Sequence, residues 1–310
     1  MKKAIVLLLV LAVAGTAFAQ VNTGIYVHGT VTLIDQDLNG VQDPNSWAAN
    51  TLTLKGSNDD MGFAATWTNA LITGIPGEAR DWTAYYNLFE KKVKMTFGKF
   101  RNATFRQGNV YAFYTDRITG YGWLTELKFV DGLNIGLFLP FTTTAEPMAD
   151  ILQKTDIGIT YTIADIGKIT LLANLDLINS TNKINFGFSL AAVENLTAIL
   201  NYKGTFATTS SHSFGVGVQY DLMDGNLWIG TEFDGQYASA FDWQVYPYAG
   251  YMLNDNINFA FDGYYGSDST YSFGVTANYD FLVGLVAALN VGYADTGLFY
   301  SLGMSYDIAF

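Results

Sequence analysis

The sequence predicts an all-β protein: a transmembrane antiparallel up-and-down β-barrel of about eighteen strands, with sixteen as the alternative count. Three observations predict it. Segment after segment alternates apolar with small or polar residues at a period of two. The connections between these segments are alternately short and long. Beyond the N-terminal run, no stretch approaches the roughly 18 consecutive apolar residues that a membrane helix needs.

In chain order the expected strands are Thr23–Ile34, Trp47–Lys55, Met61–Asn69, Asp81–Phe89, Lys92–Phe100 and Tyr121–Val130. Leu133–Leu139, Thr155–Ile163, Lys168–Asp176, Ile184–Ala191, Asn195–Tyr202 and Ser211–Tyr220 follow. Asn226–Tyr237, Asp242–Leu253, Asn256–Tyr264, Thr270–Tyr279, Val283–Tyr293 and Leu298–Phe310 complete the set. In Thr270–Tyr279 the apolar face is Tyr271, Phe273, Val275, Ala277 and Tyr279, against Ser272, Gly274, Thr276 and Asn278. One apolar and one small polar face fit lipid outside and water inside. Trp47–Lys55 and Asp81–Phe89 are the weakest strands, and losing them would give sixteen.

Connections after even-numbered strands are short, such as Glu90-Lys91 and Asp131-Gly132, the latter with good turn chemistry. Connections after odd-numbered strands are longer in the first half: Asp35–Ser46, Ala70–Arg80, Arg101–Gly120 and Pro140–Lys154. They shrink to turns in the second half, as in Tyr265–Ser269. Tyr161, Tyr220, Tyr279 and Tyr306 close four strands at one end, where a ring with a wet hydroxyl suits the headgroup level. Ala145–Lys154 carries the one expected helix.

At the N-terminus, Lys2 and Lys3 precede the apolar run Ala4–Ala14, and Ala17-Phe18-Ala19 makes a small-residue cleavage site. Residues 1–19 are therefore expected to be a cleaved signal peptide, leaving 20–310 as the barrel. With no Cys in the chain, an exported fold has no disulfide to rely on.

The C-terminal run Met304-Ser305-Tyr306-Asp307-Ile308-Ala309-Phe310 resembles the signal by which outer-membrane barrels are read by the barrel-assembly machinery. Tyr86 to Arg101, ending in Gly98-Lys99-Phe100, resembles a hairpin of porin-like proteins of diderm bacteria, spirochaetes included. These resemblances imply an outer-membrane location, contact with outer-membrane lipid, assembly through Leu298 to Phe310, and a homotrimer. A barrel of sixteen to eighteen strands is too wide for its own side chains to fill, so passive diffusion of ions and small hydrophilic solutes through an aqueous channel is expected. In trimeric porins the loop after the fifth strand folds inward, and here Arg101–Gly120 occupies that place with Arg101, Arg106, Asp116 and Arg117. Whether it turns inward or stays a solvated outer loop is left open by the residues.

Charge is partitioned along the chain. Nine basic residues lie between Arg80 and Lys128, whereas none follows Gly204, where 11 carboxylates stand. Alternation places Lys92, Lys94, Glu126 and Lys128 on one inner wall and Glu232, Asp234, Asp242 and Asp262 on the opposite one. The expectation is a transverse field across the lumen, with solvation of the wall as the simpler account. Losing Lys2 and Lys3 takes the formal charge from −12 to −14, which argues against a nucleic-acid partner. Cation preference would follow from that charge unless a basic loop reverses it.

The two histidines, His28 and His212, are read as lumen-lining polar residues, since neither has a nucleophile or orienting base beside it in the sequence pattern. No enzyme activity, cofactor or metal site is expected; Asp35–Gly40 matches only part of a Ca²⁺ loop. Inward Tyr246, Tyr248 and Tyr264 suit packing of an inward loop, or an aromatic path for a specific solute. The functions that remain are a general or mildly selective channel, a solute-specific channel, or a surface adhesin carried on a barrel.

Overall fold

The structure is a computed structural model that describes residues 22–35, 51–68, 79–108, 113–141 and 151–309. The expected signal peptide, Trp47, most of the Asp35–Gly40 run and Phe310 lie outside these residues. So does most of the expected helix, although Ile151 and Leu152 at its end are helical.

Eighteen strands form one sheet. The first six are β1 (Asn22–Asp35), β2 (Thr51–Ser57), β3 (Met61–Thr68), β4 (Asp81–Leu88), β5 (Val93–Asn102) and β6 (Ile118–Leu127). Next come β7 (Leu133–Pro140), β8 (Asp156–Ile163), β9 (Gly167–Asn174), β10 (Asn182–Leu190), β11 (Leu196–Phe206) and β12 (Ser211–Leu222). The last are β13 (Leu227–Tyr237), β14 (Phe241–Asn254), β15 (Ile257–Gly266), β16 (Tyr271–Leu282), β17 (Leu285–Ala294) and β18 (Gly297–Ala309). Each strand pairs antiparallel with the next, and β18 pairs with β1, so the sheet closes. Closure leaves no row of unpaired backbone groups at a sheet edge.

All eighteen expected segments are strands, with shifted ends. β6 starts at Ile118 and stops at Leu127, so Lys128 falls beyond it. β5 starts at Val93, so Lys92 sits exposed in the turn and not on the inner wall, a correction to the alternation reading. The cause is the tight turn itself, in which Phe89, Glu90 and Lys91 all take positive φ.

Register carries one parity round the barrel. Val27 faces Ile308 and His28 faces Asp307 across the closing pair. On β16, Phe273, Val275 and Tyr279 are exposed on the outer face while Gly274 between them is buried. Tyr161, Tyr220 and Tyr279 are likewise exposed on their strands. The buried apolar cluster lies instead on the inside: Phe100, Phe105, Ile118, Leu124, Phe138 and Leu172. A protein with its large apolar side chains outside and a small core within is inside-out relative to a water-soluble domain.

His212 is not a lumen residue. It shares the outer face of Phe214, its ring stacks on Tyr202, and its Nδ1 lies 2.8 Å from the Tyr202 hydroxyl. Phe206 meets it edge-on. The ring row continues through Phe214, Phe233, Trp243 and Tyr265, with centroids 5.9 to 6.3 Å apart. Such cross-strand aromatic pairs stabilise a sheet by about 0.2–1 kcal/mol each.

Sidedness gives a direct test. Val275→Lys should cost about 2–4 kcal/mol of folding stability in lipid vesicles, because a cation is then held on the apolar face. Thr276→Lys, one residue on and facing inward, should cost far less. Equal losses in urea titrations of the two variants would contradict the assigned parity.

Candidate functional site

Between β5 and β6, the described residues 103–108 and 113–117 turn into the barrel. Their course begins at Gly98, where φ is +143° and a Cβ would fall 2.1 Å from the Trp82 carbonyl oxygen. Only glycine fits this close approach of β5 to β4. Two residues on, Phe100 is buried and meets Phe138 edge-on at 5.1 Å. The Asn102 side chain then accepts the Thr104 N–H at 2.7 Å and starts the loop.

The loop is seated on glycines. Gly136 and Gly158 face each other across β7 and β8. A Cβ on either would lie 2.3 Å from the Phe105 ring. Phe105 is 1 % exposed, so the two glycines form a slot that its ring fills. Farther along, a Cβ on Gly187 of β10 would strike Gln107 at 2.3 Å. The loop's two limbs are joined where Gln107 N–H donates to Thr115 Oγ1 at 2.8 Å and Thr115 N–H donates to the Gln107 carbonyl at 2.9 Å.

The far end of the loop is tied to the opposite strands. Phe113 N–H donates to Glu232 Oε1 at 2.5 Å, and Asp116 N–H donates to Asn185 Oδ1 at 3.0 Å. Lys203 Nζ lies 3.7 Å from Asp116 Oδ1 and 5.7 Å from the centre of the Phe113 ring. Glu232 and Asn185 are almost wholly buried, so both ties are sheltered from water and strong. The loop thus runs inside the barrel from β6 to β13.

Two cavities flank its tip. One, of about 690 Å³, is lined by the loop and by β6 to β11. It carries Arg106, Arg117, Lys154, Lys183 and Lys203 against Asp116, Asp156 and Asp176. The other, of about 390 Å³, is lined by Phe113, Tyr114, Lys203, Asp234, Asp242 and Tyr246 among others. The inner walls therefore differ in sign on the two sides of Tyr114.

Not every residue marked by the sequence joins these cavities. Arg106 and Arg117 line the first, Arg106 donating from Nε to the Thr115 carbonyl and lying 4.1 Å from the Tyr114 ring centre. Partial burial lowers the Arg117 pKa, and repulsion from Arg106 and Arg80 lowers it further. Arg101 lies within β5, one residue before its end, and is not part of the loop; it lies in the electrostatic reach of Arg80, Arg117 and Asp81. Asp234 and Asp242 line the second cavity, while Glu232 anchors the loop. Asp262 faces Tyr248 across β14 and β15 and lines neither cavity. Glu126 is buried between Lys94 at 3.9 Å and Lys128 at 3.7 Å and accepts from Asn134 Nδ2 at 2.9 Å. Glu126 offsets one of the two ammonium charges in that cluster. The cationic side of the lumen is carried by the loop and by Lys154, Lys183 and Lys203, which the sequence reading did not single out.

Tyr246 lines the second cavity with its ring 6.4 Å from Tyr264, whereas the Tyr248 ring lies over Gly230 on the wall. The signal for the seat is in the sequence: Gly122, Gly136, Gly158 and Gly187 take inward positions in β6, β7, β8 and β10. A glycine within a strand marks the close approach of another segment.

No protein-family model matches the chain, and no curated protein does. Solved structures match it at very low identity. Pseudomonas aeruginosa OpdK, crystallised with vanillate, is 11 % identical, with a TM-score of 0.60 over 94 % of this chain and 99 % of that one. A BenF-like porin from Pseudomonas fluorescens Pf-5 is 8 % identical, with a TM-score of 0.56 over 94 % and 99 %. Acinetobacter baumannii OccAB2 is 10 % identical, with a TM-score of 0.58 over 94 % and 98 %. The chain has the fold of these barrels over nearly its whole length.

The seat is tested by filling it. Gly158→Val should expel Phe105 and make the bonds of 103–117 cleavable by added protease in the folded barrel. Phe105→Ala should do the same by removing a buried ring, a change that costs about 3–5 kcal/mol where the site cannot collapse. Protection equal to that of the unaltered protein in both variants would contradict the assigned seat.

Proposed function

We propose that the protein is an outer-membrane porin, a water-filled channel for passive diffusion of ions and small hydrophilic solutes. One observation carries this: the sheet closes on eighteen strands, a girth that its own side chains cannot fill. The inward loop narrows that lumen and leaves polar, charged cavities beside it. The apolar outer face supports insertion in lipid, and the pairing of β18 with β1 supports assembly through the C-terminal strand. Export by residues 1–19 and a homotrimeric state belong to the same proposal.

An adhesin finds little support after β11, where 207–210, 238–240, 267–270 and 295–296 are the whole outer connections. The first cavity favours a narrower role. Five cationic side chains and the Tyr114 and Phe138 rings would suit a small anion with an aromatic or apolar body. OpdK was crystallised with vanillate, an aromatic carboxylate. Arg106, Arg117, Asp234 and Asp242 are the residues expected to meet passing ions, with Lys94, Lys128, Glu126 and Asp262 lining the wall.

Refolded protein in a planar bilayer should give large, ohmic single-channel steps. Silence from protein shown to be folded and inserted would overturn the proposal. In a salt gradient, Arg106→Gln with Arg117→Gln should move the reversal potential towards cation preference, because the first cavity then loses two of its five cations.

A further inference from the structure

The loop tip leaves one cation shared by both cavities. Lys203 projects from the inner face of β11, opposite Asn185 on β10 and Ser213 on β12. It lines the first cavity with four other cationic residues, and among the described residues it is the one cation lining the second. By formal charge of the lining residues, its loss would take the first cavity from +2 to +1 and the second from −1 to −2. No other described cation lines both, so no other loss of a single cation moves the two in the same direction.

We infer that Lys203 is the residue that sets the anion-to-cation preference of the narrowed lumen. This rests on the channel proposed above. Its ion pair with Asp116 does not cancel the charge. The separation is 3.7 Å, and both side chains keep about a third of their surface in water, at 36 % and 31 %. A pair solvated to that degree is weak. The ammonium carries three donors, and Asp116 engages it from the loop side only. The remaining directions open on the two cavities. The Phe113 ring beside it restricts where the side chain can swing, since an ammonium near an aromatic face is attracted to it. The charge is therefore held at the divide between a cationic and an anionic wall, where a passing ion of either sign meets it.

The chain contains no cysteine, which makes Lys203→Cys a unique attachment point. The experiment is reversal-potential measurement in a planar bilayer under a tenfold KCl gradient. Lys203→Cys should raise the potassium-to-chloride permeability ratio several-fold over the unaltered protein. A cationic thiosulfonate reagent added to the same channels should restore the original ratio, and an anionic one should raise it further. Lys203→Arg should stay near the original, and Lys183→Gln, which changes the first cavity alone, should move it less than Lys203→Cys does.

The inference is overturned if open channels of Lys203→Cys keep the original ratio, or if neither reagent changes it. It is also overturned if Lys183→Gln shifts the ratio as far. Absence of any conductance from the inserted, unaltered protein would instead overturn the channel proposal. Because the reagents act on one inserted barrel, a folding defect in a variant cannot imitate the charge-dependent response.

Discussion

Closure of the sheet is the constraint on which everything else depends. Once β18 pairs with β1, each strand has two neighbours and one fixed register. Parity then propagates: a residue facing its partner across a pair lies on the same side of the wall. A single-residue slip in any strand would put its apolar set into water and its polar set outside. The terminal strand shows this most plainly. Val27 with Ile308 and His28 with Asp307 set both faces at the seam, and the same alternation is found on β16, far round the wall. Site geometry inherits this order, because Asn185, Lys203 and Glu232 reach the loop only as inward residues of β10, β11 and β13.

The loop adds a second level of organisation to that wall. A strand normally fills its inner face with side chains, and a loop can approach only where they are missing. Gly136 and Gly158 clear such a space directly opposite each other, and Phe105 occupies it. Backbone proximity alone would not hold the loop against its conformational entropy. The buried ring supplies apolar area, and Glu232 and Asn185 supply hydrogen bonds from the far side. The described residues are thus pinned at Phe105, Phe113 and Asp116, with Arg106 and Arg117 beside these ties.

Strand existence and parity were legible because they are local: period two survives without knowledge of partners. The ends were less so. Lys92 looked inward by counting, yet a turn with three successive positive-φ residues removes it from β5. His212 had the parity of Phe214 in plain sight, but its polarity suggested the lumen; stacking on Tyr202 and a hydrogen bond to the Tyr202 hydroxyl satisfy it on the outer face. Gly98-Lys99-Phe100 was noticed as a resemblance only. Its physical meaning is a glycine-only crossing over Trp82 that delivers Phe100 to the inner cluster.

The charges show why a partition along the sequence is not yet a field in space. Lys94 and Lys128 belong to the basic stretch, but Glu126 between them, buried and bonded to Asn134, offsets one of their two charges. Removing a buried carboxylate from its two cations would leave it unpaired at considerable cost, so this group is a structural unit of the wall. Glu232 is also withdrawn from the lumen, by the Phe113 N–H. The charges that line the two cavities are those of the loop, with Lys154, Lys183 and Lys203 added, and Asp234 and Asp242 on β13 and β14. The lining residues of the two cavities thus differ in sign on the two sides of Tyr114. That difference depends on the loop staying in its glycine seat, which couples the packing of Phe105 to the electrostatics of the lumen.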